Sequence, residues 1–314
     1  MRVLVTGGAG FIGRWVVSGL SDHEVWVLDN LSNGSLSNLA GLPVREFIDG
    51  DIRDNTLIRR LFSGHDRFDV CFHLAAQINV QHSIDFPKDT FESDVIGTHH
   101  LLEACRTRLP KPVRFVFVST CMVYAPAGEG GLSETSPVLP ASPYAGAKLA
   151  GEYLSLSYHH AYGLPVVVLR PFNTYGPYQK TSGEGGVVGI FVKKALKGEA
   201  LSLFGDGHQT RDLLYAEDCA DFIIRAAFSQ RAVGEILNGG TGRDIAISDL
   251  AALIAGDSCR VAHVPHPHPQ SEIRKLLCDS SKAREFLSWA PRFSIEEGIT
   301  RTRQWISQGQ ESRV

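Results

Sequence analysis

A doubly wound parallel α/β sheet is the fold this sequence predicts, and three features carry the prediction. Short apolar runs alternate with helical stretches from the first residues to about residue 170. The runs are nearly continuous in apolar residues, as burial on both faces of a parallel sheet requires. The first run ends in a glycine-rich turn that opens a helix, which is where such sheets place phosphate groups.

The run at 2–6 is the first strand, and residues 11–20 form the helix after it. Between them stand Gly7, Gly8, Ala9, Gly10, Phe11, Ile12 and Gly13. The glycines fit two overlapping patterns, G-x-x-G-x-x-G from Gly7 and G-x-G-x-x-G from Gly8. Missing side chains let the backbone turn tightly and come close to a pyrophosphate at the helix N-terminus. A second strand at 24–28 ends in Asp29, at the spacing of about 20 residues where an acid holds the adenosine ribose of a dinucleotide. Asn30 follows, and no basic residue adjoins on that side. A carboxylate there repels a 2'-phosphate, so NAD is favoured over NADP. Arg14 is the one basic residue that argues the other way.

The alternation continues. A third strand at 44–48 ends at Gly50 and Asp51, and a helix covers 55–62. A strand at 69–74 leads into Ala75 and Ala76, and one long helix is expected over 91–107. A strand at 113–119 ends at Ser119 and Thr120. A helix at 143–162 and a strand at 165–169 complete the pattern. Ligands of such sheets sit at the carboxyl ends of the strands. The glycine turn, Asp29, Asp51, Ala75, Ala76, Ser119 and Thr120 all fall there.

The helix at 143–162 carries Tyr144 and Lys148. Four residues apart, they share one helix face about a turn apart. A neighbouring cation favours phenolate and lowers the phenol's ordinary value near 10, so Tyr144 is a candidate general base. Such a pair also occurs on plain amphipathic helices; its setting in this sheet gives it weight.

After Arg170 the texture changes. Residues 173–189 are rich in glycine and turn formers and read as loop. Helices are expected at 190–197, 218–228, 247–254, 280–287 and 295–306, with an irregular stretch at 263–273. His263, His266 and His268 are separated by prolines that hold the chain extended, and no cysteine or acid stands at ligand spacing. No metal site is expected.

Composition excludes other classes. The net charge of the 314 residues is −3, so no basic field invites nucleic acid or an acidic membrane. The apolar runs are too short and interrupted for a bilayer-spanning segment. The chain begins MRVLVTGG, entering a strand at once, which predicts no leader. Six scattered cysteines without a C-x-x-C pair read as reduced thiols of a cytoplasmic protein.

Taken together, these motifs resemble the extended short-chain dehydrogenases acting on nucleotide sugars, the NAD-dependent nucleotide-sugar epimerase/dehydratase family. The likeness rests on the glycine turn, Asp29, Asp51-Ile52-Arg53, HLAA at 73–76 and VSTCMVYA at 118–125. It continues through Tyr144 and Lys148, RPFNTYGPYQ at 170–179 and GDGHQTRD at 205–212. It implies a Rossmann-like domain over 1–172, with returning segments near 210–245, and a smaller mixed α/β substrate domain over 173–314. It implies NAD held by Gly7, Gly10, Phe11, Ile12, Gly13, Asp29, Asn30, Asp51, Ile52, Leu74, Ala75 and Ala76, with Tyr144 and Lys148. It implies a nucleotide diphosphate sugar as substrate and a homodimer as assembly. Tyr144 would take the sugar 4-hydroxyl proton, Lys148 would lower the Tyr144 pKa and hold the nicotinamide ribose, and Thr120 would bond the reacting oxygen.

The residues after Thr120 separate the family's reactions. Its 4,6-dehydratases place Asp-Glu there, to protonate the leaving hydroxyl and remove the C5 proton. Here stand Cys121 and Met122. Met cannot carry a proton, and Cys is a weak acid. A 4-epimerase, which oxidises, turns and re-reduces the sugar, needs neither. The alternatives are a dehydratase or another enzyme with a 4-keto intermediate, and a non-catalytic NAD-binding sensor on the same fold. By resemblance Cys121 and Met122 line the substrate pocket. Asn173 touches the sugar or diphosphate, and Asn where uronic acid epimerases often carry Thr leans to a neutral hexose. Arg211 meets the phosphates, and Arg274 stands in for a late arginine of the family. Leu276 sits where side-chain size gates acetamido sugars. Two further departures are Asp94, where the family usually has Asn, and Ala125 in place of glycine.

Overall fold

The computed structural model of the protein describes residues 1–63, 68–107, 112–126, 130–181, 186–256, 260–265 and 273–309. Strand β1 (Arg2–Thr6) passes through the glycine turn into α1 (Phe11–Gly19), followed by β2 (Glu24–Asp29) and β3 (Val44–Asp49). Helix α2 (Asn55–Ser63) leads to β4 (Val70–His73). Two short helices, α3 (Val80–Asp85) and α4 (Pro87–Phe91), precede a π-helical turn at Glu92–Ile96 and α5 (Gly97–Thr107). Then come β5 (Arg114–Val118), α6 (Pro143–Tyr162) and β6 (Val166–Pro171). These strands and a later one make a seven-stranded sheet.

The remainder begins with β7 (Asn173–Tyr175), α7 (Val187–Leu196), β8 (Leu201–Phe204), β9 (Thr210–Tyr215) and α8 (Ala216–Phe228). The later strand, β10 (Ile236–Gly239), precedes β11 (Asp244–Ala246) and α9 (Ile247–Ala255). Strands β12 (Val261–Val264) and β13 (Lys275–Leu276) and helices α10 (Ser281–Leu287) and α11 (Ile295–Ser307) close the chain.

The large sheet runs β10-β6-β5-β4-β1-β2-β3, and its described pairings are all parallel. Strand order reverses between β1 and β4, and the crevice at that switch point opens at the carboxyl ends of the strands. One face is packed by α1 and α8, through residues such as Val16, Val17, Phe222 and Ile223. The other is packed by α2, α5 and α6, through Ile58, Leu101, Leu102 and Tyr158. Burial on both faces explains why the strands read as unbroken apolar runs. The smaller sheets, β11-β9-β13 with β7 on β9, and β12-β8, share a separate core with α7, α9 and α11.

The sequence differs from the structure in three places. The helix expected over 91–107 is instead α4, a π-turn and α5. A π-turn admits one extra residue, and here Asp94 is the buried member of that turn. Residues 173–189 are not all loop, because β7 pairs in parallel with β9 and α7 starts at Val187. In the stretch 263–273, His263 belongs to β12, paired with β8, while 266–272 lie outside the described residues. Among the described residues no helix is long and apolar enough to cross a membrane.

Candidate active site

The glycine turn is packed too tightly for side chains. Gly7 has φ +72°, and a Cβ there would lie 2.6 Å from the Ala75 backbone nitrogen. A Cβ on Gly13 would lie 2.0 Å from the Gly7 carbonyl oxygen, so α1 can approach β1 only at a glycine. The turn forms one wall of a cavity of about 510 Å³. Phe11, Ile12, Asp29, Asn30, Asp51, Ile52, Leu74, Ala75, Ala76, Tyr144 and Lys148 also line it, together with Gly7, Gly10 and Gly13.

Asp29 is nearly buried, and each of its oxygens already accepts a backbone N–H, from Ala9 at 3.0 Å and Leu31 at 2.8 Å. Burial raises its pKa, against which these two bonds act. A carboxylate oxygen has a second lone pair, so ribose hydroxyls still find acceptors. Asp51 takes a bidentate grip from Arg53, at 3.0 and 2.7 Å, and a bond from Asn30 Nδ2 at 2.8 Å. Burial acts to raise its pKa, but these bonds hold the carboxyl down at about 2. Arg14 does not face the cavity freely. It donates to the Asn38 carbonyl, and its guanidinium lies 3.8 Å from the centre of the Tyr178 ring.

Tyr144 and Lys148 project from the first turns of α6, whose start is fixed by the Ser142 hydroxyl accepting from Ala145 N–H and by Pro143. Thr120 lies two residues beyond the end of β5 and caps a short turn, its hydroxyl oxygen accepting from Met122 N–H at 3.2 Å. A hydrogen bond with Thr120 favours the Tyr144 phenolate. Burial and the Asp94 carboxylate outweigh it, and the phenol stands well above its ordinary value. The sequence expectation was the reverse, with Lys148 lowering it. The difference arises because the phenol is itself buried, beside the Asp94 carboxylate; Lys148 is buried too, its own pKa lowered by desolvation and supported by Asp94 and Glu152.

The proposed substrate residues fall into two groups. Cys121 is buried in a cluster with Tyr124, Phe172, Leu276 and Cys278, and Met122 packs against it. Burial pushes the Cys121 thiol up to about 12. Asn173 keeps a buried side-chain oxygen without a partner. Arg211 donates to the Thr210 and Ile273 carbonyls, and its charge reaches Cys121. Cys121 and Met122 follow Thr120 directly, Arg211 reaches Cys121 with its charge, and Asn173 lies on β7 beside Leu213 of β9, the strand that carries Arg211. Arg274 does not join them: it is exposed and paired with Asp206 at 2.9 Å. Leu276 is fully buried.

The sequence model of the NAD dependent epimerase/dehydratase family matches residues 3–240. The chain belongs to that family. It is 38% identical to the UDP-glucose 4-epimerase of Mycolicibacterium smegmatis, over 96% of this chain and 97% of that protein. It is 37% identical to the dTDP-glucose 4,6-dehydratase of Streptomyces niveus, over 97% of this chain and 92% of that one. Among solved structures it is similar to Pal from Bacillus thuringiensis, at 55% identity with a TM-score of 0.95, covering 98% and 99% of the two chains. NAD is the cofactor. The cavity fits it: a glycine cradle that any Cβ would fill, an acid at the end of β2, and a buried, unpartnered Ser119 hydroxyl on the lining.

In this epimerase/dehydratase chain, two features escaped the sequence reading. The first is the wall made by Tyr178, Gln179, Lys180 and Gly186. Lys180 Nζ donates to Asn33 Oδ1 at 2.6 Å, so the segment after β7 reaches across to the loop after β2. The motif RPFNTYGPYQ was the signal, but only its Asn173 was used. The second is the buried ion pair of Glu152 with Arg170, whose Nε donates at 2.9 Å. It anchors α6 to β6 one turn beyond Lys148.

Proposed function

We propose that this chain is an NAD-dependent nucleotide-sugar 4-epimerase, acting on an NDP-hexose, most simply a UDP-hexose, through a transient 4-keto sugar. The observation that carries the reading is Tyr144, beside Thr120 and Lys148 on the cofactor cavity, followed by Cys121 and Met122 where elimination needs acids. Tyr144 takes the proton of the 4-hydroxyl and returns it, while Thr120 holds the same oxygen. Lys148 supplies positive charge to the phenolate and a donor to the nicotinamide ribose. When bound, NAD supplies the acceptor and then the donor of the C4 hydride. Elimination would also require a group to remove a carbon-bound proton. The Cys121 thiol, up at about 12, stays protonated near neutrality and cannot be that base.

The nucleotide sugar is assigned to residues 173–314, with Asn173 and Arg211 as its contacts. The similarity to the UDP-glucose 4-epimerase supports this substrate class. The dTDP-glucose 4,6-dehydratase relative supports the second reading, a dehydratase. A homodimer is the proposed assembly. Phe86, Phe91, Tyr153 and Tyr162, exposed on and beside α4 and α6, are apolar groups that a second copy would cover. The cytoplasm is the proposed location, in keeping with five described cysteines that are all free and buried.

The test is incubation of the holoenzyme with a panel of UDP- and dTDP-sugars, read by NMR and mass. A C4 epimer of unchanged mass is the expected product. A product lighter by one water establishes the dehydratase reading instead.

A further inference from the structure

A second ionisable group stands behind the Tyr144–Lys148 pair. Asp94 lies in the π-turn between α4 and α5 and is 1% exposed. Its Oδ1 accepts from Gln77 N–H at 2.7 Å, and its Oδ2 is buried with no partner. Lys148 is 3% exposed, its Nζ resting 4.5 Å from the centre of the Phe117 ring. Among the described residues no carboxylate is within salt-bridge distance of Lys148. An acid and an ammonium are thus both withdrawn from water, close enough to interact and not bonded to each other.

The backbone of Asp94 is pinned. Thr98 Oγ1 donates to the Asp94 carbonyl at 2.6 Å and must therefore accept from His73 Nε2–H at 2.9 Å. That tautomer leaves His73 Nδ1 to accept from Thr6 Oγ1 at 2.8 Å. The chain of bonds runs in one direction from β1 through β4 to the π-turn, and burial keeps His73 neutral.

We propose that Asp94 is a positioning residue that holds Lys148 charged and sets the pH at which Tyr144 ionises. The proposal rests on the reading of Tyr144 as the base. Its carboxylate opposes the desolvation of Lys148 and, by the same charge, disfavours the Tyr144 phenolate. Of the other groups near these three, Arg53 faces Glu92 and Asp89 but is gripped by Asp51, and the Cys121 thiol facing Tyr144 stays protonated. From α6, Glu152 also supports Lys148 but is paired with Arg170. From α4, Lys88 pairs with Glu92 and Asp89 with His82. From α5, His99 meets the Tyr158 hydroxyl, and from β4, His73 is uncharged. Burial, offset by Lys148, the Gln77 N–H and the Ser93 hydroxyl, raises the Asp94 carboxyl to about 6, so its charge changes within the working range.

Asp94→Asn keeps the shape and the acceptor for Gln77 while deleting the charge. Glu152 still supports the Lys148 charge in this variant, so the direct repulsion of the phenolate is what is lost, and its kcat/KM profile with UDP-glucose should show the Tyr144 limb moved to lower pH, by ~1 unit for a like charge removed at close range. A limb at the wild-type position overturns the proposal. The second measurement needs no turnover and no change at Asp94. Isotope-edited infrared spectra of the wild-type holoenzyme should show one aspartate carboxyl titrating near 6. In Lys148→Met that carboxyl should titrate higher, having lost its cation. A carboxyl indifferent to Lys148 refutes the coupling. A Tyr144→Phe enzyme with wild-type turnover refutes only the reading of the base.

Discussion

The Arg14 guanidinium lies over the Tyr178 ring, 3.8 Å from its centre, and donates through Nη1 to the Asn38 carbonyl. Tyr178 adopts φ +70°, a region that costs a side-chain-bearing residue energy, and its ring is also packed against Trp15 and Trp305. The one cation that argued for NADP is therefore engaged in joining α1 to the segment after β7. Stripped protein should bind NAD more tightly than NADP by about tenfold or more, or about 1.4 kcal/mol. Titration calorimetry checks this, and tighter NADP binding would make Arg14 a phosphate ligand.

Tyr144→Phe keeps the ring and removes the oxygen proposed to take the 4-hydroxyl proton. Nucleotide-sugar binding should survive, while kcat falls by the ~10²–10⁴-fold typical of a lost general base. The phenol stands above its ordinary value, so its ionised fraction grows with pH and wild-type turnover should rise from acid toward alkaline pH. Lys148→Met should move that rise to still higher pH. Turnover of Tyr144→Phe near the wild-type rate would place the base elsewhere.

Cys121→Ala tests the proton inventory. The thiol is buried and stays protonated, so its loss should leave the reaction type unchanged and cost little activity. If the thiol were instead the acid for a leaving hydroxyl, product would vanish while bound NAD was still reduced. Absorbance of reduced nicotinamide, followed alongside product, separates the two outcomes.

Glu152→Ala removes one partner of a buried ion pair and leaves the Arg170 guanidinium uncompensated. Loss of a single partner in such a pair costs ~3–5 kcal/mol. Equilibrium denaturation should show a loss of that order. A change below about 1 kcal/mol would mean that water reaches Arg170 in the variant.

The sheet was legible because its strands are short, apolar and punctuated by glycine, features that one-dimensional pattern carries. Helix α6 was legible to its last residue, since Ser142, Pro143 and Gly163 mark its ends locally. The π-turn was not, because nothing between Phe91 and Thr107 breaks helical periodicity; the extra residue is selected by packing against α6 and by the Thr98–His73–Thr6 bonds. Strand β7 was hidden for a related reason. Three residues among turn formers become a strand only when β9, far along the chain, arrives beside them. That the glycine cradle, Asp29 and the Tyr144–Lys148 pair would line one cavity followed from spacing. The placement of Arg274 did not, because Asp206 competes for its charge from a distant loop. The direction of the Tyr144 shift was also out of reach. It depends on how deeply Tyr144 is buried and on the Asp94 carboxylate near it, which no spacing rule reports.

Strand β10 completes the large sheet beside β6 only after the chain has built β7, α7, β8, β9 and α8. All six residues of β6 are buried in the finished protein. During synthesis, therefore, β6 waits as an open edge, its backbone donors and acceptors unpaired on one side, until residues 236–239 emerge. Edges of that kind recruit other strands. A fragment ending before residue 236 would hold every residue of the glycine cradle yet be a sticky intermediate rather than a cofactor-binding module. The order of manufacture ties the large sheet to the segments that interrupt it: it closes only after β7, α7, β8, β9 and α8 have been made, and before α9, α10 and α11.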